Sequence, residues 1–198
     1  MRRPASVTAR RGARRLGLVA LALLAQALPM PATLGPHGLI PAAMAQDYGT
    51  AAPTYLTDLQ TGIAFCRAIA KREYLVDCLS ERLEAVAAAM PATAEMAGLH
   101  ATLATAAGQL GAVARTYRSP VLPPVNMKMA GPRPVSTARP LRPVAPGNLP
   151  AALAAASAIM RETETVLLRS AANTRNRAVD FQRVAALIGS TKVLLRSG

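Results

Sequence analysis

The stretch Phe65 to Leu79, FCRAIAKREYLVDCL, holds both cysteines of this 198-residue chain, Cys66 and Cys78. Before it, Leu59, Ile63, Cys66 and Ile69 recur three or four residues apart, the mark of one buried helical face. After it, Cys78, Leu79, Leu83, Val86 and Met90 keep the same period, but the phase slips at Lys71-Arg72-Glu73-Tyr74. Two structures satisfy these facts. One continuous helix from Ile63 to Met90 places the cysteines about 18 Å apart at helical rise. A disulfide needs Cα atoms within roughly 7 Å, so that helix forbids the bond. A turn at Lys71–Tyr74 instead lets the cysteines face each other across an antiparallel helical hairpin. Two cysteines in an exported chain normally pair, and the hairpin with a Cys66–Cys78 disulfide is the expectation. Closing that loop contributes about 2–3 kcal/mol to a small core. A redox role is not favoured, because the spacing is not C-x-x-C and no thioredoxin-like strand pattern surrounds it.

Upstream, Thr57-Asp58-Leu59-Gln60 has the spacing of a capping box at the start of the first helix. Asp77 is suited to supporting the first turn of the second helix. Pro91 ends that helix. Met96, Leu99, Leu103, Ala106, Leu110, Val113 and Tyr117 then alternate at three and four residues, a heptad-like stripe. Gly98, Gly108 and Gly111 allow a neighbouring helix to approach closely, at a cost in helix propensity. Residues 96–114 carry no formal charge, but His100, Gln109, several threonines and the glycines favour a packed helix over a membrane span. His100 lies four residues from Met96, and two such groups are too few for a metal site.

Nine prolines fall between Arg118 and Pro150, with five basic residues and no acid up to Gly147. Such a segment is expected to be an extended, mobile linker unable to hold helix or sheet. It repeats an Arg-Pro step at Arg133, Arg139 and Arg142. Beyond it Leu149, Leu153, Ala156, Met160, Thr163, Leu167, Ser170 and Thr174 form a second stripe, expected to pack against the first or against a partner's helices. A shorter pattern, Ala178, Phe181, Val184, Ala185 and Ile188, is expected to end at Gly189. Arg161, Arg169, Arg175, Arg177 and Arg183 avoid the centre of the apolar arc, which leaves a cationic back.

The first residues read as delivery. Six arginines precede the apolar run Leu16 to Leu28, which is too short for a bilayer span and has signal-peptide proportions. Small-x-small cleavage sites occur at Ala25–Ala27 and Ala43–Ala45, and the second is preferred. An uncleaved anchor is the alternative. Arg14-Arg15 loosely matches a twin-arginine signal, and the general secretory route is preferred. The expected organisation is a signal peptide at 1–45, a short tail at 46–53, a helical domain at 54–118, a Pro-rich basic linker at 119–148 and a C-terminal helical segment at 149–198. The fold class is all-α: a small disulfide-stapled hairpin or bundle plus a long C-terminal helix.

Without residues 1–45 the chain has seventeen basic and ten acidic side chains, and the surplus lies in the linker and beyond. Arginine outnumbers lysine twenty to three, a bias associated with GC-rich bacterial genomes. No nucleophile–base pair, carboxylate pair, metal cluster or phosphate loop is recognisable, so neither an enzyme nor a cofactor is expected. The acids Glu73, Asp77, Glu81 and Glu84 read as a solvated helix face. The expected function is a periplasmic or secreted helical interaction protein of the bacterial envelope, meeting another protein through apolar helix faces. The alternative is a binder of anionic polymer or membrane surface through Arg133, Arg139, Arg142, Arg161, Arg169, Arg175, Arg177 and Arg183. Nucleic acid is not expected, because aromatics are not interleaved with the basic residues.

Overall fold

The computed structural model describes residues 53–131, 134–174 and 176–196. The segment expected to be a signal peptide, nearly all of the expected tail, and Arg133 and Arg175 lie outside the described residues. Helix α1 (Thr54–Arg67) buries Leu59, Ile63 and Cys66 on one face. The chain then leaves helical geometry, and a 3₁₀ turn at Arg72–Tyr74 leads into α2 (Leu75–Ala89). Cys66 and Cys78 are bonded, with their Cα atoms 5.7 Å apart. The hairpin inferred from the phase slip is therefore the structure. The turn is also anchored from outside: the Tyr74 hydroxyl donates to the Pro123 carbonyl at 2.8 Å, and Arg72 Nη2 donates to the Leu194 carbonyl.

The capping box does not form. α1 already begins at Thr54 behind Pro53, so Thr57 lies one turn inside the helix and no side chain caps its start. Proline's fixed φ and missing N–H make it a natural point to begin a helix.

Helix α3 (Ala97–Thr116) buries Leu99, Leu103, Ala106 and Leu110 as its stripe requires, with Ala107, Gly111 and Ala114 beside them. It packs against α2 and against α4 (Leu149–Asn173). The two stripes therefore meet each other. Only one α3 glycine is needed for close packing. A Cβ on Gly111 would stand 3.0 Å from Ser80 Oγ, whereas Gly108 has nothing within 4 Å.

α4 packs most extensively on α5 (Ala178–Arg196), which also reaches α1. The expected stop at Gly189 does not occur, and α5 runs on to Arg196, burying Thr191 and Leu195. Gly189 serves helix crossing rather than helix ending. A Cβ there would stand 2.6 Å from Glu164 Oε1 of α4, and that carboxylate is engaged by Lys192 one turn further along α5. Side chains of all five helices enter one continuous apolar core, in which Leu59, Leu79, Leu103, Met160, Leu167 and Ile188 are fully buried.

The linker is where structure and sequence reading part. It joins the helical regions and is extended, but it folds back on itself as an irregular antiparallel ribbon. Strands β1 (Lys128–Met129) and β2 (Val135–Ser136) pair near its tip. Isolated bridges pair Val125 with Leu141 and Arg118 with Val144. The prolines fit because they only accept: Ser119 N–H donates to the Pro143 carbonyl at 2.8 Å. A two-stranded ribbon alone is marginal in water. This one is held because Leu141 and Val144 are fully buried under it and because α2 supplies hydrogen-bond acceptors, described next.

Candidate functional site

Asp77 and Glu81 are one helical turn apart on α2, and both side chains are buried. This overturns their reading as a solvated face. A buried carboxylate is stable only if charge and lone pairs are satisfied, and here each takes one guanidinium and one linker N–H. Asp77 Oδ2 accepts from Arg139 Nη1 at 2.6 Å and from the Arg142 N–H at 2.7 Å, while its Oδ1 accepts from Arg139 Nη2 at 3.2 Å. Glu81 Oε1 accepts from the Ala138 N–H at 2.7 Å, and its carboxylate is forked by Arg82. The Arg82 guanidinium also donates to the Ser136 carbonyl at 3.1 Å and stacks 5.4 Å from the centre of the Phe65 ring. The returning leg of the ribbon is thus strapped across α2 by two carboxylates, four residues apart, reading N–H groups four residues apart.

That geometry reassigns the linker arginines. Arg139 is an internal partner: burial works against its charge, but the Asp77 hydrogen bond and the nearby Asp77 and Glu84 carboxylates outweigh it and raise the pKa above the usual value. Arg142 is fixed at its backbone, while its Nη1 is buried with no hydrogen-bond partner. Arg177, expected on an open cationic face, bridges Glu95 and Asp180 at 3.1 Å each, and its pKa is raised by those hydrogen bonds. Arg161, Arg169 and Arg183 are exposed, and none forms an ion pair among the described residues. Arginines therefore divide into those engaged within the fold and those left exposed without an ion pair among the described residues.

Between α2, α3 and the strap lies a groove of about 480 Å³. Arg115, Arg139 and Arg142 line it together with Ser80, and His100 and Ala104 line it further along α3. Ser80 donates to the Ala107 carbonyl at 2.8 Å, and Glu84 reaches Arg139 at 3.8 Å. The sequence reading missed this groove. Its one local trace is the run of small residues facing each other, Ala87 and Ala88 on α2 and Ala104, Ala107 and Gly108 on α3. Among the described residues no three His, Cys, Asp or Glu side chains gather in a metal-binding group, and no helix is long and apolar enough to cross a membrane.

These features define a disulfide-stapled all-α bundle with a carboxylate-held strap. Comparison with known proteins gives no match to a family, to a curated protein or to a solved structure.

Proposed function

We propose that the protein is an exported, non-enzymatic interaction protein of the bacterial cell envelope, an adaptor or assembly factor that meets an acidic partner protein. The observation that carries this reading is the uneven pairing of charge. Asp77, Glu81, Glu95, Glu164 and Asp180 are all engaged by bases of the same chain, while Arg161, Arg169 and Arg183 on α4 and α5 stay exposed and unpaired. The Cys66–Cys78 bond and the leader-like pattern of residues 1–45 support an oxidising compartment. The apolar stripes are used up inside the bundle, so contact is assigned to the cationic faces of the C-terminal helices. The test is a charge reversal, Arg161→Glu with Arg169→Glu and Arg183→Glu, followed by crosslinking in intact cells. Loss of a defined protein adduct, with the melting curve unchanged, supports the reading; an unchanged adduct rejects it.

A second reading rests on the spacing of the same arginines. Arg161 and Arg169 stand about 12 Å apart along α4 by helical rise, a separation suited to an anionic polymer or lipid surface. Cosedimentation with anionic vesicles that falls steeply as salt rises favours this reading over a stoichiometric protein complex.

A further inference from the structure

The groove between α2 and α3 is lined by none of Arg161, Arg169 and Arg183 and has two chemically different ends. Ser80 and Gly111 mark one end, where Arg115 and Arg142 line the wall. α2 and α3 run antiparallel, so the other end is floored by Ala87, Ala88 and Ala104 and extends to His100. At the first end Asp77 and Glu84 occupy Arg139, which leaves the charges of Arg115 and Arg142 without a carboxylate. Arg142 Nη1 is buried and unpartnered, whereas buried donors are ordinarily hydrogen-bonded, so one without a partner calls for an explanation. Its backbone cannot swing away, because its N–H is held by Asp77. Gly111 lets Ser80 and Arg115 lie close against α3 at the cationic end, since a Cβ there would meet Ser80 Oγ at 3.0 Å and Arg115 Nη1 at 3.3 Å.

We propose that this groove binds a short amphipathic anion, a phosphate or carboxylate head on an aliphatic tail. The head sits at Arg115 and Arg142, and the tail lies along the alanine floor towards His100. Guanidinium groups suit such heads because they offer paired donors in a plane. The alanines offer an apolar wall without side chains that would fill it. The site is separate from the proposed partner face on α4 and α5, so either can fail alone.

The test titrates the full chain with octyl phosphate and octanoate below their micelle concentrations, read by calorimetry and by backbone amide shifts. The expected result is saturable binding, with shifts centred on Gly108, Gly111 and Arg142. Arg142→Ala should weaken it by about ten- to a hundredfold, the worth of a charge-assisted hydrogen bond. Gly108→Leu should abolish it, because nothing lies within 4 Å of a Cβ there and the added side chain enters the groove without disturbing the helix. Its melting temperature, equal to or above that of the parent, keeps the test valid if Arg142→Ala fails to fold. No saturation by either probe overturns the proposal, as does equal binding of octyltrimethylammonium. Inorganic phosphate competing as well as octyl phosphate overturns the role of the tail.

Discussion

Asp77 and Arg139, sixty-two positions apart in sequence, form a forked ion pair at 2.6 and 3.2 Å with the carboxylate fully buried. Removing one member of such a pair leaves the other without compensation, which commonly costs about 3–5 kcal/mol. Asp77→Ala also releases the Arg142 N–H. Urea unfolding should show a loss near the upper part of that range for Arg139→Ala, which strands the fully buried Asp77 carboxylate. The loss should fall within the range for Asp77→Ala, which leaves a partly exposed guanidinium still near Glu84. Hydrogen exchange should show the Arg142 amide losing protection in Asp77→Ala.

Cys66 and Cys78 should yield no reactive thiol in denaturant until reductant is added. The double variant Cys66→Ser with Cys78→Ser should fold with a stability lower by about 2–3 kcal/mol. Two free thiols in protein isolated without reductant would remove the case for an oxidising compartment.

Gly108 and Gly111 should respond to alanine with opposite signs, although both lie in the interior of α3. Gly108→Ala has open space around the new Cβ and should stabilise by about 0.5–1 kcal/mol through helix propensity. Gly111→Ala must displace the buried Ser80 hydroxyl from the Ala107 carbonyl and should destabilise. Thermal melts of the two single variants decide it.

Tyr55 is buried beside Asp180, without the alignment of a full hydrogen bond. Burial first, and then the Asp180 carboxylate, push its phenol up to about 12, against 10 for a free tyrosine. The neutral phenol is the form favoured by folding. Its contribution is therefore fully present below pH 10 and is lost as pH rises from 10 through about 12. Tyrosine ring-carbon NMR should place this titration near 12, and Tyr55→Phe should flatten the alkaline fall in stability.

Leu103 is fully buried, so Leu103→Asp reports on folding and not on a partner. It should leave the chain largely unfolded by circular dichroism, since even Leu→Ala in a core costs about 2–5 kcal/mol.

Much of the fold is legible in the residues. Apolar spacing alone places α2, α3 and α4, because burial on one face of a helix repeats every three or four residues whatever packs against it. The turn at Lys71–Tyr74 also follows from local facts, a phase slip flanked by two cysteines. Gly189 shows the limit. A glycine near the end of an apolar pattern reads as a stop, and only the presence of Glu164 across the helix crossing reveals it as a contact point.

The candidate sites were less legible, for the same reason. Glu81 beside Arg82 and Asp77 four residues earlier look like ordinary solvated charges, and the prolines around Arg139 look like a loose tether. Nothing within ten residues of either segment announces that one will satisfy the other.

The sequence by itself determined the helical class and the stapled hairpin, since periodicity and cysteine geometry act over short distances along the chain, whereas the structure decided that the two long stripes meet each other. Only the tertiary structure decided which charges are paired inside the fold and which stay exposed. Asp77 and Glu81 become the anchors of a strap, Arg139 becomes the partner of Asp77, and Arg142, which lines a groove, keeps a buried donor without a partner. Ion pairs and hydrogen bonds depend on distance in space and on exclusion of water, and neither can be read from order along the chain.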